Sequence, residues 1–474
     1  NLLGAKRAAA GWVGALALPA SSVGHTVTEP ATGISVRLYD RGDEHFSYMT
    51  DEAGCIVEPY GGYFRYVREE SGGLALAGRV TLKAKDASEA LQPSDVASLQ
   101  EALTALRDSL PAQNAIGSAV PQIPDGYHAG TEAHDAGYGR IVEANTPNVE
   151  KPERDGTCPL LVLHIQYADM PAAFDDAAWH QRIFEDGVSD YYTTVSEGQF
   201  TYIPAEENGG TRNDGVITVT LPIEAPAWAR GVAGNENTHD GVMAGLYHGT
   251  DGKDYAIYNE SSLFMYALAA AEPYLPDLSR YDRNADGFIT PTEMAFLVVS
   301  GGGEAADMGA YSILGLPGVW AHSGMAHDYL RGTSDGSYLA MKLGSVLVYK
   351  YTIMGEASSG TMQPGDSPAW LDPVQQQFGT ACHELGHDLG LMDLYDTSYS
   401  SLEEGVGRLS LMAFGGGGKL SSNDEAGSCP THMDAFSKAF LGFSHPQVIA
   451  ADGVYTLSAP ESADGYSVYR IDTP

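Results

Sequence analysis

The residues best suited to chemistry lie together in the segment ACHELGHDLGLMDLYD. If this segment is helical, His383 and His387 lie four residues apart on one face, the geometry in which two imidazoles share a metal ion. Glu384 lies one step round the helix, close enough to hold a water beside that metal. Gly390 can adopt the left-handed conformation that ends a helix, which would turn the chain back and present Asp393 as a third ligand.

The types of these ligands predict which metal binds. Imidazole is a borderline ligand that suits zinc better than calcium or magnesium, and three protein ligands with one open position are typical of catalytic zinc. We predict that the helix starts at an N-cap, Asp372, followed by Pro373 and by Gln375 as the capping-box partner. The alternative interpretation is a surface helix with two unrelated histidines.

A second motif, YDRNADGFITPTE, places oxygen-bearing groups at alternate positions of one loop. It matches the calcium register D-x-N-x-D-G-x5-E, in which glycine allows a tight turn and the last glutamate binds through two oxygens. The predicted ligands are Asp282, Asn284, Asp286, the backbone carbonyl of Phe288, and Glu293. A proline inside the loop and the strand-like AFLVVSGGGE after it argue against an EF-hand helix pair. An Asx-rich turn without an ion is the alternative.

The charge of the chain limits its partners. Its 474 residues include 62 acidic and 26 basic ones, a formal net charge of −36. No run rich in lysine or arginine exists, so nucleic acids and anionic membranes are excluded as expected partners. The length is enough for about two to four domains.

The first residues resemble an export signal. Lys6 and Arg7 precede an apolar run over residues 8–20, which contains small-residue cleavage sites and is too short to span a membrane. An N-terminal helix of the mature protein is the alternative. We therefore expect a secreted, extracellular product with no membrane span.

Four cysteines allow three complete disulfide pairings, which the sequence leaves open. A Cys382–Cys429 bridge is attractive because it would tie the predicted active-site helix to a later loop, and Cys158 is the fourth cysteine. Cys55 could bind zinc in a latent proenzyme, but its setting, GCIV, favours a buried apolar position.

Patterning along the chain predicts the elements. Alternating residues over 33–67 predict a small antiparallel β unit, and Ser94 caps a helix with an apolar stripe that includes Leu99, Leu103 and Leu106. The apolar run LLVLHIQYAD predicts a strand covered on both faces, and helices are expected over residues 189–200 and 262–272. VWAHSG is a candidate edge strand for pairing with extended substrate, in which His322 is expected to be packed rather than a ligand.

The segment HELGHDLGLMDLYD resembles the active-site segment of the immune inhibitor A family of secreted bacterial metallopeptidases, the M6 type, with its pattern HExxHxxGxxD and a following Tyr-Asp pair. It is also similar to the wider metzincin group, whose third ligand is more often histidine. LSLMAFGGGG puts Met412 where the methionine turn of metzincins lies beneath the metal. The resemblance implies zinc on His383, His387 and Asp393, and a glutamate at Glu356 for which we derive no role.

The resemblance also implies a domain organisation, with residues 111–159 marked as linker by their Gly, Ala and Pro content. The expected fold is α+β, a zincin-like or metzincin-like catalytic domain with an active-site helix and a mixed β-sheet, preceded by a small propeptide-like β/α domain. The expected segments are a signal peptide at 1–23, a propeptide-like domain at 24–112, a linker at 113–157, the catalytic domain at 158–446, and the start of a truncated β-rich region at 447–474.

Together these features predict a zinc endopeptidase that acts on protein or peptide substrates, made as a proenzyme and stabilised by calcium. Glu384 would take a proton from the attacking water and return it to the leaving amine, and Tyr395 is a candidate for assisting the oxyanion by proximity alone. Two alternatives remain, a calcium-stabilised adhesion module with a vestigial site and a zinc hydrolase for small amides or esters.

Overall fold

The computed structural model describes most of the second half of the chain and parts of the first half. The described residues are 16–17, 25–28, 34–42, 47–60, 63–70, 73–80, 99, 102–103, 105–106, 141–145, 156–226, 229, 245–257, 260–304, 319–326, 337–363, 369–395, 405–458 and 468–471. Within them the protein combines one large mixed sheet and several smaller sheets with a few helices. No helix among these residues is long and apolar enough to cross a membrane.

Both kinds of element are numbered in chain order. The strands are β1 (Leu16–Ala17), β2 (His25–Thr28), β3 (Ser35–Gly42), β4 (Ser47–Thr50), β5 (Ile56–Tyr60), β6 (Tyr63–Glu70), β7 (Gly73–Arg79), β8 (Ile141–Asn145), β9 (Gly156–Tyr167), β10 (Phe200–Pro204), β11 (Val216–Leu221), β12 (Gly245–His248), β13 (Asp254–Ile257), β14 (Phe288–Ile289), β15 (Ala295–Gly303), β16 (His322–Met325), β17 (Ser337–Leu343), β18 (Val346–Val348), β19 (Lys350–Gln363), β20 (Ala369–Gln375), β21 (Gln447–Val448) and β22 (Tyr469–Arg470). The α-helices are α1 (Asp176–His180), α2 (Val188–Val195), α3 (Glu260–Ala271), α4 (Phe378–Asp388) and α5 (Ala435–Leu441).

The large sheet is built around β9, the strand predicted from its apolar run. β9 runs parallel to β10 and β11 on one side and to β15 on the other, and β15 runs parallel to β19. β16 then pairs antiparallel with β19, and β1 pairs antiparallel with β16 at the end of this series. The sheet is therefore mixed, as expected.

Both faces of β9 are buried, because successive side chains of a strand point to opposite faces. Leu161 and Leu163 join a core that contains helix α3, whereas Leu160 and Val162 join a second core that contains α4. The predicted buried helix is confirmed as α3, most of whose side chains are buried. The sheet is thus sandwiched between a backing helix and the helix that carries the HExxH motif.

The predicted β unit near the N-terminus is an antiparallel sheet in which β2 to β7 pair in sequence order. Leu99, Leu103 and Leu106 pack against its inner residues Ile56 and Val67. The expected cap at Ser94 lies outside the described residues. Cys55 is 4% exposed in the core of this sheet, so the apolar interpretation is confirmed.

Three sequence predictions need correction. The helix expected over residues 189–200 ends at Val195, because Phe200 opens β10 and pairs with Gly156. The predicted linker contains β8, which pairs antiparallel with β17, so sheet pairing overrides its linker-like composition. All four cysteines are free thiols, and the Cys382–Cys429 bridge is absent. The thiol of Cys382 is fully buried on α4, where it packs in the core below the sheet.

Candidate metal centre

The helix that carries the motif begins later than predicted. Its N-cap is Gln377, and no side-chain hydrogen bond caps it. Asp372 lies instead in β20 with φ +50°, and the strand ending at Gln375 pairs antiparallel with β19. Pairing with the long strand β19 therefore determines the conformation of this segment, although its residues have the sequence of a helix N-cap. The predicted start at Asp372 is therefore wrong.

The end of the helix matches the prediction. Gly390 has φ +92°, a conformation that side chains other than glycine rarely adopt. The amide of Gly390 donates to the carbonyl of His387 over 2.9 Å, and the amide of Leu391 donates to that of Gly386 over 3.0 Å. The chain turns back beneath the histidines and carries Asp393 to them.

Three candidate donor atoms meet at this turn. The Nε2 atoms of His383 and His387 are 3.1 Å apart. The Oδ1 atom of Asp393 lies 3.1 Å from the first and 3.3 Å from the second. Tetrahedral zinc with bonds of about 2.0–2.2 Å sets neighbouring ligand atoms about 3.3 Å apart. The residues present therefore fit a zinc ion without rearrangement.

The other nitrogen of each imidazole is held by a backbone carbonyl. Nδ1 of His383 lies 2.8 Å from the carbonyl oxygen of Leu411, and Nδ1 of His387 lies 2.9 Å from that of Leu391. A carbonyl can only accept, so each Nδ1 carries the proton and each Nε2 presents its lone pair to the centre. Such outer hydrogen bonds orient metal-binding histidines and make them more basic.

The protonation states also suit a metal ion. Burial lowers the pKa of His383, and the nearby Asp393 carboxylate only partly opposes this shift. Burial alone would raise the pKa of Asp393, but His387 and His383 outweigh it and hold that pKa below its usual value. A neutral imidazole beside an ionised carboxylate is the donor set that zinc requires.

Met412 lies directly under the helix. A Cβ atom added to Gly386 would come 2.7 Å from the Met412 sulfur, so glycine is needed for this close approach. The amide of Leu394 donates to the carbonyl of Met412 over 2.7 Å. The segment around Met412 thus supports both the helix and the turn that carries Asp393.

Two adjacent tyrosines that the sequence analysis did not single out contact the surroundings of the site, one at the helix α4 and one at a later loop. The Tyr192 hydroxyl donates to the carbonyl of Cys382 over 2.7 Å, and the Tyr191 hydroxyl donates to that of Thr431 over 2.8 Å. Both lie on α2 and are buried. Their only sequence signal is a pair of adjacent large polar aromatics in a helix.

The other residues that the sequence analysis discussed, Glu384, Tyr395 and His322, differ in their surroundings. Glu384 is fully buried, and a carboxylate oxygen of it lies within 4.8 Å of a ring nitrogen of His383 and of one of His387. Tyr395 is half-buried, with its ring centroid 6.3 Å from that of Phe414. His322 is packed as expected, between the Trp320 carbonyl at 2.9 Å and the Tyr351 hydroxyl at 3.1 Å.

Glu356 has a structural position away from these donor atoms. Its carboxylate lies 3.2 Å from Nε2 of His164, and both side chains are fully buried. The same carboxylate accepts from the amides of Ala173 and Gly302, at 3.0 and 3.3 Å. It joins the segment after β9 to β15 and β19.

The loop predicted to bind calcium is folded through its own side chains. The two oxygens of Asp282 accept from the amides of Asp286 and Gly287, at 3.1 and 2.9 Å. Those of Glu293 accept from the amides of Arg283 and Thr290, at 2.7 and 3.0 Å. Phe288 leaves the loop as the first residue of β14, which pairs parallel with β18. Asn284 and Asp286 are exposed.

Comparison with known proteins agrees with this arrangement. The catalytic-domain model of the immune inhibitor A peptidase M6 family matches residues 272–444. The pre-pro-metalloprotease PrtV of Vibrio cholerae serotype O1 (strain M66-2) is 26% identical over 307 residues, which are 60% of this chain and 30% of that protein. Immune inhibitor A of Bacillus thuringiensis subsp. alesti is 25% identical over 311 residues, 60% of this chain and 40% of that protein. The chain therefore spans well under half the length of these relatives.

A mixed sheet backed by a helix with the HExxH motif, whose histidines meet a carboxylate from the following turn, is an arrangement typical of metallopeptidases. The matched region contains α4, the turn to Asp393 and the Met412 segment. Residues 272–444 are thus similar to the catalytic domain of the M6, or immune inhibitor A, peptidase family.

Proposed function

We propose that this protein is a secreted, zinc-dependent endopeptidase, made as a proenzyme, that hydrolyses peptide bonds in proteins. One observation carries the proposal: the convergence of Nε2 of His383, Nε2 of His387 and Oδ1 of Asp393 at the spacing of tetrahedral zinc ligands. The description of one relative as a pre-pro-metalloprotease supports the proenzyme part.

The proposal assigns a different role in hydrolysis to each residue of the site. His383, His387 and Asp393 would hold zinc, which supplies Lewis-acid polarisation of the scissile carbonyl and activates a water molecule. Glu384 takes a proton from the attacking water and returns it to the leaving amine. Its burial and its place one step round the helix from His383 support this role. Tyr395 remains the candidate for stabilising the oxyanion.

We further propose that β16 is the strand along which an extended substrate pairs. It is short, and its inner edge pairs with β19. On its outer edge Leu16 pairs with Ser323 and Ala17 with His322, both antiparallel. An extended segment is thus accommodated beside the helix that carries the histidines, which is what main-chain recognition of a peptide needs.

The proposal includes a structural calcium ion in the loop of residues 282–293. Inward-turned oxygens of Asp282 and Glu293, the tight turn at Gly287 and the register of the motif support it. Calcium bound only to the folded chain would add stability without taking part in hydrolysis.

The proposed activity is tested by casein hydrolysis with the full chain, supplied with zinc and calcium, beside Glu384→Gln. The parent should cleave casein, and the variant should lose about 100- to 10,000-fold of the rate while zinc stays near one per chain. Glu425→Gln, which changes an exposed glutamate outside the site, is the matched control and should keep full activity. Zinc in both proteins with cleavage in neither, even after the segment of residues 113–157 is nicked, would contradict the proposal, and so would full activity in Glu384→Gln.

A further inference from the structure

The helix that carries the metal-binding motif ends on a buried carboxylate. Asp388 is the last residue of α4 and follows His387 directly. Its side chain is 1% exposed. A negative charge at this end of a helix faces the negative end of the helix dipole, and burial adds a desolvation cost. Such a carboxylate is tolerated only where strong compensating contacts surround it.

Those contacts come from two strands of the sheet. Oδ1 of Asp388 accepts from the Ser323 hydroxyl over 2.7 Å, and Oδ2 accepts from the Thr352 hydroxyl over 3.1 Å. Both hydroxyl-bearing residues are fully buried. The Lys350 ammonium lies 3.6 Å from Oδ1 and supplies the counter-charge. The carboxylate therefore has a partner on each oxygen and a neutralising cation.

The two hydroxyl groups that contact Asp388 belong to two neighbouring strands of the large sheet. Ser323 lies on β16 and Thr352 on β19, and the two are direct cross-strand neighbours in the register of the sheet. One carboxylate thus bridges both strands to the end of α4. β16 has four residues, and besides its main-chain pairing with β19 and β1 and the contact of His322 with the Tyr351 hydroxyl, the carboxylate adds a direct tie to α4.

We propose that Asp388, through Ser323 and Thr352, is a positioning residue that sets the distance between the substrate-pairing strand β16 and the metal-binding histidines. This inference rests on the proposed peptidase function and assigns to it a determinant of substrate alignment. The side chain of Ser323 points to Asp388 while its backbone belongs to the strand proposed to pair with substrate. A shift of β16 would therefore move the substrate relative to the site without removing a ligand.

The test uses three variants of the full chain. Ser323→Ala removes the hydroxyl that joins β16 to Asp388, and Ser323→Thr retains a hydroxyl and should rescue it. Ser300→Ala is the matched control, because Ser300 is an equally buried serine of the same sheet. Its hydroxyl lies 3.3 Å from that of Tyr167 and does not contact α4.

The first readout needs no activity. Amide hydrogen exchange of the metal-free chain should show the protection of residues 322–325 reduced by about tenfold or more in Ser323→Ala. Ser323→Thr and Ser300→Ala should leave the protection of these amides at the parental level. Unchanged exchange in Ser323→Ala would overturn the proposal.

The second readout is the hydrolysis of two peptides by the zinc-loaded chain, one long enough to pair along β16 and one too short to reach it. For Ser323→Ala, kcat/KM of the long peptide should fall about 10- to 100-fold, because misplacement by about 1 Å has effects of this size. The short peptide should change by less than about twofold, with zinc content unchanged.

An equal loss on both peptides would overturn the positioning role and leave only a general destabilisation. If the zinc-loaded parent cleaves neither peptide, the proposed function fails, and the exchange measurement alone then decides whether Asp388 fixes β16.

Discussion

Two regions of this protein were expected to bind metal ions, and their structures differ in how the donor atoms are held. In the histidine site, three donor atoms from α4 and the following turn converge within 3.3 Å of one another. In the loop of residues 282–293, the oxygens of Asp282 and Glu293 are occupied by amides of the loop itself. The first site is buried, whereas Asn284 and Asp286 are exposed.

This difference shows which contacts hold the ligands of each site in place before a metal ion binds. The histidines are oriented by carbonyls of Leu411 and Leu391, which lie after the helix, and by a helix packed on Met412. The acidic loop is shaped largely by hydrogen bonds among its own residues, and its Phe288 and Ile289 pair with β18. A site assembled from distant segments holds its ligands before the metal arrives, whereas a local loop can exchange its internal hydrogen bonds for an ion.

The largest effect is expected on zinc affinity, from a substitution that changes the histidine site and leaves the acidic loop intact. Asp393→Ala should lower zinc affinity by more than about 100-fold, beyond the effect typical of losing an outer hydrogen bond. The matched variant Asp286→Ala, in the acidic loop, should leave zinc affinity unchanged. Competition with a fluorescent zinc chelator measures both. Parental zinc affinity in Asp393→Ala would show that another group supplies the third ligand.

An intermediate effect is expected when the calcium loop is emptied. Calcium at 100 times its dissociation constant should raise the free energy of unfolding by about 2.7 kcal/mol. Denaturant titration with calcium or with a calcium chelator measures this difference, and the zinc content should stay the same in both. In Asp286→Ala the difference should vanish. An equal stabilisation of parent and variant would move the calcium site elsewhere.

The smallest expected effect probes the support of the histidine site. A Cβ atom on Gly379, in the first turn of α4, would come 2.1 Å from the carbonyl oxygen of Gly416. Gly379→Ala should therefore lower the free energy of unfolding by about 1–3 kcal/mol. Gly417→Ala is the matched control in the facing glycine run, because a Cβ there meets nothing within 4 Å.

Gly417→Ala should change the free energy of unfolding by less than about 0.5 kcal/mol, as measured by denaturant titration. Equal effects of the two alanines would show that the contact between α4 and the glycine run does not support the helix.

The sequence predicted what depends on residue type and short spacing. The buried strand β9, the helix α3 and the turn at Gly390 follow from apolar pattern and from glycine, and the structure contains them. The sequence predictions were wrong where the secondary structure depends on pairing between strands that are distant along the chain. Asp372 has the chemistry of an N-cap but lies in β20, because β19 offers a longer ladder. Phe200 was assigned to a helix but pairs with Gly156.

Part of the candidate site carried no readable signal. The Leu411 and Leu391 carbonyls that orient the histidines are backbone groups, which any residue would supply. The hydroxyls of Ser323 and Thr352 become neighbours only through strand register. Asp388 did offer a clue, because a carboxylate in the last turn of a helix opposes the helix dipole and requires a partner.

X-ray absorption at the zinc edge of the zinc-loaded chain tests the central claim most directly. The account predicts four nitrogen or oxygen neighbours at about 2.0–2.2 Å, with the multiple scattering of two imidazoles. In Asp393→Ala any zinc that remains should keep both imidazoles. A sulfur neighbour at about 2.3 Å, or scattering from three or more imidazoles, would contradict the assignment of His383, His387 and Asp393.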